Sequence, residues 1–117
     1  MIVGIGIDII EVERIKKLVE KNPRFVQRIF TPQEIRYCQK KANRYQHYAA
    51  RFAAKEAFFK ALGRRIKWKD VGLTNLSSGQ PKLKIMAEEK FPFDRAHVSI
   101  SHLSAYAAAI VILESEE

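Results

Sequence analysis

The segment from Arg44 to Leu62 constrains the fold more than any other part of this sequence, because it contains neither glycine nor proline. It is rich in Ala, Lys, Glu and Phe, and residue Gly63 follows it directly. Alanine, lysine and glutamate favour helix, and glycine is the residue most typical of a helix C-cap. We therefore predict one long helix over residues 44–62.

The N-terminus alternates in the manner of a strand over residues 2–8. One face carries Val3, Ile5 and Ile7, and the other carries Ile2, Gly4, Gly6 and Asp8. This is the period of a half-buried strand. Apolar residues then recur at helical spacing until Pro23, which predicts a helix over about residues 10–21.

A second helix start is visible in "FTPQEIRYC". Thr31 suits the N-cap, Pro32 the first helical position and Glu34 the third, a combination known as a capping box.

From Val71 the pattern changes to two short runs, "VGLTNL" and "KLKIMA", separated by the turn residues "SSGQP", which predicts a hairpin. "HVSIS" and "YAAAIVIL" read as two further strands. The predicted fold class is α+β, one domain over residues 1–117, with mostly antiparallel strands.

Composition limits the classes of function. The net charge is +8, which favours encounters with nucleic acid, a phosphate-bearing cofactor or an acidic protein without choosing among them. No apolar run reaches the roughly 18–20 residues of a membrane span, and no secretory signal pattern is present. Cys38 is the single cysteine, so a reducing cytoplasm is expected. A chain of 117 residues buries a modest share of its surface, which makes a homo-oligomer plausible.

Asp8 is an acid at the end of an apolar run, and two interpretations of it stay open. Glycine in a strand marks the close approach of a ligand or of another backbone, so Gly4 and Gly6 clear space on the Asp8 face. Alternatively, Asp8 caps the next helix, with Glu11 as the third residue of a capping box. A dinucleotide fingerprint is excluded because position 9 is isoleucine.

Glu56 is the second acid of interest. At 100° per residue, Phe52, Glu56 and Lys60 share one side of the predicted long helix. A carboxylate partly buried beside aromatic rings needs a cation, which Lys60 or a metal ion would supply. Two carboxylates suit Mg²⁺, which takes one or two protein acids and completes its shell with water and phosphate.

Zinc is not favoured, because the histidines lack metal-ligand spacing and Cys38 stands alone. These histidines are His47, His97 and His102. In "SISH", Ser101 and His102 either bind phosphate or form a turn.

Three blocks in order, "GIGIDIIEVERI", "RFAAKEAFFKAL" and "SISHLSAYAAAIVIL", resemble the conserved blocks of the phosphopantetheinyl transferases in their compact single-domain form. The resemblance runs from Met1 to Leu113. It implies transfer of the 4′-phosphopantetheine arm of coenzyme A to a serine of acyl carrier protein, with release of adenosine 3′,5′-bisphosphate. It also implies a homotrimer with the coenzyme site between neighbouring subunits.

The resemblance assigns roles by motif position. Asp8 and Glu56 would bind Mg²⁺, Lys60 would contact phosphate, and Glu56 or a metal-bound water would take the serine proton. The residues expected at the coenzyme are Arg51, Lys60, Pro81, Ser101 and His102. The residues expected to meet the carrier protein are Arg14, Lys21, Arg24, Phe25 and Arg28, with a core role for Phe25 as the alternative.

The sequence departs from the family at Leu103 and Ser104, where an acid often follows "SH". Two rival functions remain: a basic nucleic-acid-binding module, and a structural oligomer without chemistry.

Overall fold

The computed structural model describes residues 1–116, and its elements confirm the α+β class. Four helices separate an N-terminal strand from four later strands. The strands are β1 (Ile2–Glu11), β2 (Val71–Asn75), β3 (Pro81–Ile85), β4 (Arg95–His102) and β5 (Tyr106–Glu114). The helices are α1 (Val12–Lys21), α2 (Pro23–Ile29), α3 (Pro32–Gln39) and α4 (Arg44–Leu62), with a 3₁₀ turn at Trp68–Asp70.

The strands pair antiparallel, as the sequence predicted, and they form two sheets. The larger has the order β1-β5-β4, so the N-terminal strand lies beside the C-terminal one. The smaller is the β2–β3 hairpin. None of the helices within residues 1–116 combines the length and the hydropathy of a bilayer-crossing segment.

The boundary between β1 and α1 differs from the prediction. The strand continues to Glu11 and the helix begins at Val12, because residues 8–11 pair with Ala109 to Tyr106 of β5. Asp8 is therefore a strand residue, and the helix-cap interpretation is wrong. Glu11 occupies the cap position without a side-chain hydrogen bond.

Helix α2 was not predicted. Asn22 caps it by accepting a hydrogen bond from the Phe25 amide, and Pro23 opens it as the first helical residue. The sequence analysis treated Pro23 only as the end of α1. The predicted capping box of α3 is confirmed: the Glu34 amide donates to Thr31 Oγ1 at 3.1 Å, and the Thr31 amide donates to Glu34 Oε1 at 2.9 Å.

Helix α4 packs against the inner face of the larger sheet and ends, as predicted, at Gly63 with a φ of 84°. Glycines in β1 allow this packing. A Cβ on Gly6 would lie 1.9 Å from the carbonyl oxygen of Ala57, and one on Gly4 would lie 2.0 Å from that of Ala61. The two glycines therefore make room for a helix backbone, one of the two explanations that the sequence left open.

The outer face of the larger sheet is apolar and exposed. Ile5, Ile7 and Ile9 of β1 are 59%, 64% and 67% exposed, and Ile110 stands opposite Ile7 on β5. The alternation predicted a half-buried strand, and this is confirmed. The buried side, however, is the glycine side, while the isoleucines face outward.

A buried ion pair ties α4 to the elements around it. Lys55 Nζ donates to Glu34 Oε1 at 2.7 Å and to the carbonyls of Ile29 and Trp68 at 2.8 and 3.2 Å. The other oxygen of Glu34 accepts from the Leu73 amide at 2.9 Å. Burial lowers the pKa of Lys55 from its ordinary value, and the Glu34 charge opposes that shift.

Candidate active site

Asp8 projects from the inner face of β1 beside α4, and its side chain is 14% exposed. Lys60 Nζ donates to Asp8 Oδ1 at 3.1 Å and to the Ile7 carbonyl at 2.9 Å. Burial raises the pKa of the Asp8 carboxyl, and the negative charge of Glu56 adds to this shift. The positive charges of Lys60 and Arg14 oppose the shift. Glu56 is thus close enough to Asp8 for the two negative charges to repel each other.

Glu56 lies one helical turn before Lys60 and is 17% exposed. Its basic partner in the protein is Arg65 and not Lys60, the side chain suggested by the sequence. Arg65 Nη1 donates to Glu56 Oε1 at 2.8 Å and Arg65 Nη2 donates to Oε2 at 3.4 Å, while Lys60 turns to Asp8. Arg65 follows the helix C-cap, and no periodicity connects it with Glu56, so the sequence analysis missed it.

The two acids form a site with more positive than negative groups around it. Asp8 and Glu56 each bind a basic side chain, Lys60 and Arg65, and Arg14 contributes a third positive charge. Within residues 1–116 no cluster of three or more His, Cys, Asp or Glu side chains is placed to hold a metal ion. A site of two carboxylates fits a cation such as Mg²⁺, which fills the rest of its shell with water and phosphate oxygens.

The other residues expected at the coenzyme lie away from these acids. Arg51 is 1% exposed; its Nη2 donates to Asn75 Oδ1 at 2.8 Å, and its guanidinium lies 4.1 Å from the centre of the Tyr37 ring. Its Nε is buried without a hydrogen-bond partner among the described residues. Asn75 pairs with Pro81 across the hairpin, so Arg51 and Pro81 belong to one neighbourhood.

Ser101 and His102 point to opposite faces of β4. Ser101 is exposed on the outer face, whereas His102 is half-buried and its Nδ1 lies 2.7 Å from Gln46 Oε1. The His102 and His47 rings are in contact, with centroids 5.1 Å apart. Burial, the His102 charge and the Arg51 charge lower the pKa of His47 to about 4.

Helix α4 separates the two groups of predicted residues. Arg51 and Lys60 are nine positions apart, which at 100° per residue puts them on opposite sides of the helix and about 13 Å apart along it. One protomer therefore does not bring all the predicted coenzyme residues to one face.

The predicted carrier-protein residues lie on α1 and α2. Arg14, Lys21, Arg24 and Arg28 are exposed, and we call these four residues the basic patch. Arg14, a member of the basic patch, is close enough to Asp8 for its positive charge to lower the Asp8 pKa. Phe25 is half-buried and packs against Phe30 and Phe52, with ring centroids 6.0 and 6.1 Å away, which fits the core alternative.

Comparison with known families identifies the chain. The model of the 4′-phosphopantetheinyl transferase superfamily matches residues 4–111. This chain belongs to that superfamily. It is an enzyme of the transferase class, and the resemblance carried by its three sequence blocks is confirmed.

Members of the superfamily resemble the chain over its whole length. A holo-[acyl-carrier-protein] synthase of Geobacter sulfurreducens is 46% identical over 97% of this chain and 98% of its own. A crystal structure of the Bacillus anthracis holo-(acyl-carrier-protein) synthase in complex with CoA (3′,5′-ADP) has a TM-score of 0.84 at 39% identity and covers 99% of both chains. The Helicobacter pylori enzyme in complex with coenzyme A has a TM-score of 0.83 at 31% identity, covering 94% of this chain and 99% of its own.

Proposed function

We propose that this transferase is a holo-[acyl-carrier-protein] synthase of the cytoplasm, acting on coenzyme A and acyl carrier protein. The observation that carries the proposal is the full-length similarity to chains of that name, at 46% identity for the Geobacter sulfurreducens enzyme. The serine hydroxyl of the carrier protein would form a new bond to the phosphorus that bears the pantetheine arm. The bond from that phosphorus to the leaving phosphate would break and release adenosine 3′,5′-bisphosphate. Such carrier proteins serve fatty acid biosynthesis.

Mg²⁺ is the proposed cofactor, held by Asp8 and Glu56. The support is the pair of partly buried carboxylates, each of which binds a basic side chain. When bound, the ion would neutralise charge on the pyrophosphate of the coenzyme.

The protein groups around that ion have roles that follow from their positions. Lys60, anchored on the Ile7 carbonyl and 55% exposed, would place a positive charge where a phosphate oxygen arrives. Glu56, or a water bound to the ion, would accept the serine proton. Asp8 lies on β1, whose backbone pairs with β5, and this pairing would fix the position of its carboxylate oxygens.

The remaining coenzyme residues support a site shared between neighbouring protomers. Arg51, Pro81, Ser101 and His102 lie away from Lys60 in one chain, and Ser101 is on the exposed outer face of the sheet. The same face carries the exposed isoleucines of β1. Burying that face against another copy would remove the isoleucines from water and bring Ser101 towards a second chain.

A homotrimer is the assembly we propose, and sedimentation velocity tests it. The expected species has a mass of about 40 kDa, three times the 13.5 kDa chain. Ile7→Glu would place a charge in the middle of the apolar face and is expected to yield monomers. A wild-type monomer at micromolar concentration would contradict the proposal.

The basic patch offers a surface for the acidic carrier protein. Its four side chains are exposed and adjoin the acids through Arg14. Opposite charges of this kind raise association rates and lose their effect as salt screens them.

Mass spectrometry of apo acyl carrier protein tests the reaction itself. After incubation with this enzyme, coenzyme A and Mg²⁺, the carrier protein is expected to gain the mass of one phosphopantetheine arm, and EDTA is expected to prevent the gain. An unchanged mass would refute the proposed function. A gain that persists in EDTA would refute the metal requirement alone.

A further inference from the structure

Arg65 engages both carboxylate oxygens of Glu56. Its Nη1 and Nη2 donate to Oε1 at 2.8 Å and to Oε2 at 3.4 Å, the two-pronged geometry in which arginine binds carboxylates most specifically. Both hydrogen bonds that Arg65 makes within residues 1–116 go to Glu56. Glu56 thus has its own protein cation, as Asp8 has in Lys60.

Outside its pairing with Glu56, the Arg65 side chain is mostly exposed and makes only weak contacts. It is 62% exposed, and its guanidinium lies 5.4 Å from the ring centres of both Phe59 and Trp68, a weak contact at an exposed position. Lys60 at the other acid is different, because it also bonds the Ile7 carbonyl. Within residues 1–116, Arg65 therefore makes no hydrogen bond outside the acid that it binds, whereas Lys60 makes one.

A divalent cation at Glu56 meets this arginine in either of two ways. The cation can displace the guanidinium, which breaks the charge-assisted hydrogen bonds between Arg65 and Glu56. Alternatively, it can bind beside the guanidinium, whose like charge repels it. Both routes weaken binding of the metal alone.

We propose that Arg65 is a resident counter-ion of Glu56 that competes with the divalent cation and moves to the coenzyme pyrophosphate when the site is loaded. This inference rests on the proposed function for its metal and its coenzyme. It makes Arg65 a positioning residue that couples the two bound species: a phosphate that accepts Arg65 frees Glu56 for the metal, so each ligand strengthens the other.

Mn²⁺ titrations followed by electron paramagnetic resonance, without coenzyme, test the competition directly. Arg65→Gln is expected to bind Mn²⁺ about threefold to fivefold more tightly than the wild type, the upper part of the range for the loss of an exposed Arg–Glu pair. Arg65→Lys keeps the charge but not the two-pronged geometry, and its affinity is expected to fall between the other two.

Arg64→Gln is the matched control. This neighbouring arginine pairs with Glu89 and lies 5.7 Å from the centre of the Phe91 ring, away from Glu56. The Arg64→Gln substitution removes the same charge as Arg65→Gln and is expected to change the Mn²⁺ affinity by less than about twofold. Equal tightening in Arg64→Gln and Arg65→Gln, or none in Arg65→Gln, would overturn the proposal.

Repeating the titration with saturating coenzyme A tests the coupling. Coenzyme A is expected to tighten Mn²⁺ binding by the wild type. The factor by which it does so is expected to be at least about threefold smaller in Arg65→Gln. An equal factor would overturn the transfer of Arg65 to the pyrophosphate.

Glu56→Gln separates failure of this inference from failure of the proposed site. If Glu56 is a ligand, this variant binds Mn²⁺ more weakly than the wild type, and an unchanged Arg65→Gln then refutes only the role of Arg65. Unchanged binding in Glu56→Gln would refute the metal site and the role of Arg65 together. The mass gain of the carrier protein remains an independent test of the transfer reaction.

Discussion

Asp8→Asn and Glu56→Gln are each expected to lower kcat/KM for phosphopantetheinyl transfer by about 10²–10³-fold or more. Both substitutions keep the shape of the side chain and remove the negative charge that the proposed Mg²⁺ needs. Steady-state assays with apo acyl carrier protein measure the effect. Glu88→Gln, an exposed acid on the same chain, is the control and is expected to retain full activity. Normal turnover by either site variant would remove that acid from the mechanism.

The same variants are expected to remain folded, which separates function from stability. The pKa of Asp8 is raised in the folded state. Just above pH 3.8 the native protein therefore binds more protons than the unfolded chain. The stability that this group contributes falls as the pH rises through that range. At pH 7 the Asp8 charge is therefore a net cost, and Asp8→Asn is not expected to lower the Tm. A variant that loses activity and keeps its Tm marks a residue retained for chemistry.

Lys55→Met is expected to produce the largest loss of stability, about 3–5 kcal/mol in the free energy of unfolding. The substitution leaves the Glu34 carboxylate buried without its cation and removes the donor from the carbonyls of Ile29 and Trp68. A domain of this size has a total stability of about 5–15 kcal/mol, so the variant would be marginally folded. Urea unfolding at pH 7 measures the change.

Lys69→Met is the matched control, because Lys69 is exposed and undergoes the same chemical change. A change within about 0.5 kcal/mol is expected there. Glu34→Leu combined with Lys55→Met tests the cause. The double variant removes the uncompensated charge, so it is expected to be more stable than Lys55→Met even though the Leu73 amide loses its acceptor. A Lys55→Met protein as stable as Lys69→Met would show that the buried pair contributes nothing.

Features whose cause lies within a few residues were predicted well. The Thr31–Glu34 capping box and the Gly63 cap of α4 are present as expected. Each depends on hydrogen bonds or backbone conformations within about four residues, so the local sequence contains the whole argument.

Features that depend on distant partners were predicted less well. The capping role of Asp8 was a sound local interpretation, but pairing with Ala109 keeps that residue in the strand. The glycines of β1 showed that something approaches closely, but not whether it is a ligand or the α4 backbone, because the choice depends on residues about 50 positions away. Arg65 was missed for the same reason: the turn after α4 brings it back to Glu56, and sequence spacing does not encode the path of a turn.

The amino-acid sequence alone determined the secondary elements whose signals are local, the charge of +8 and, through its three motif blocks, membership of the transferase superfamily. Only the tertiary structure decided that Asp8 and Glu56 lie near enough for their charges to interact, that Lys60 binds the strand acid while Arg65 binds the helix acid, and that isoleucines cover the outer face of the sheet. The physical reason is that electrostatic and packing energies depend on distance in space. That distance is set by how β1 packs on α4, which no single segment of the chain specifies by itself.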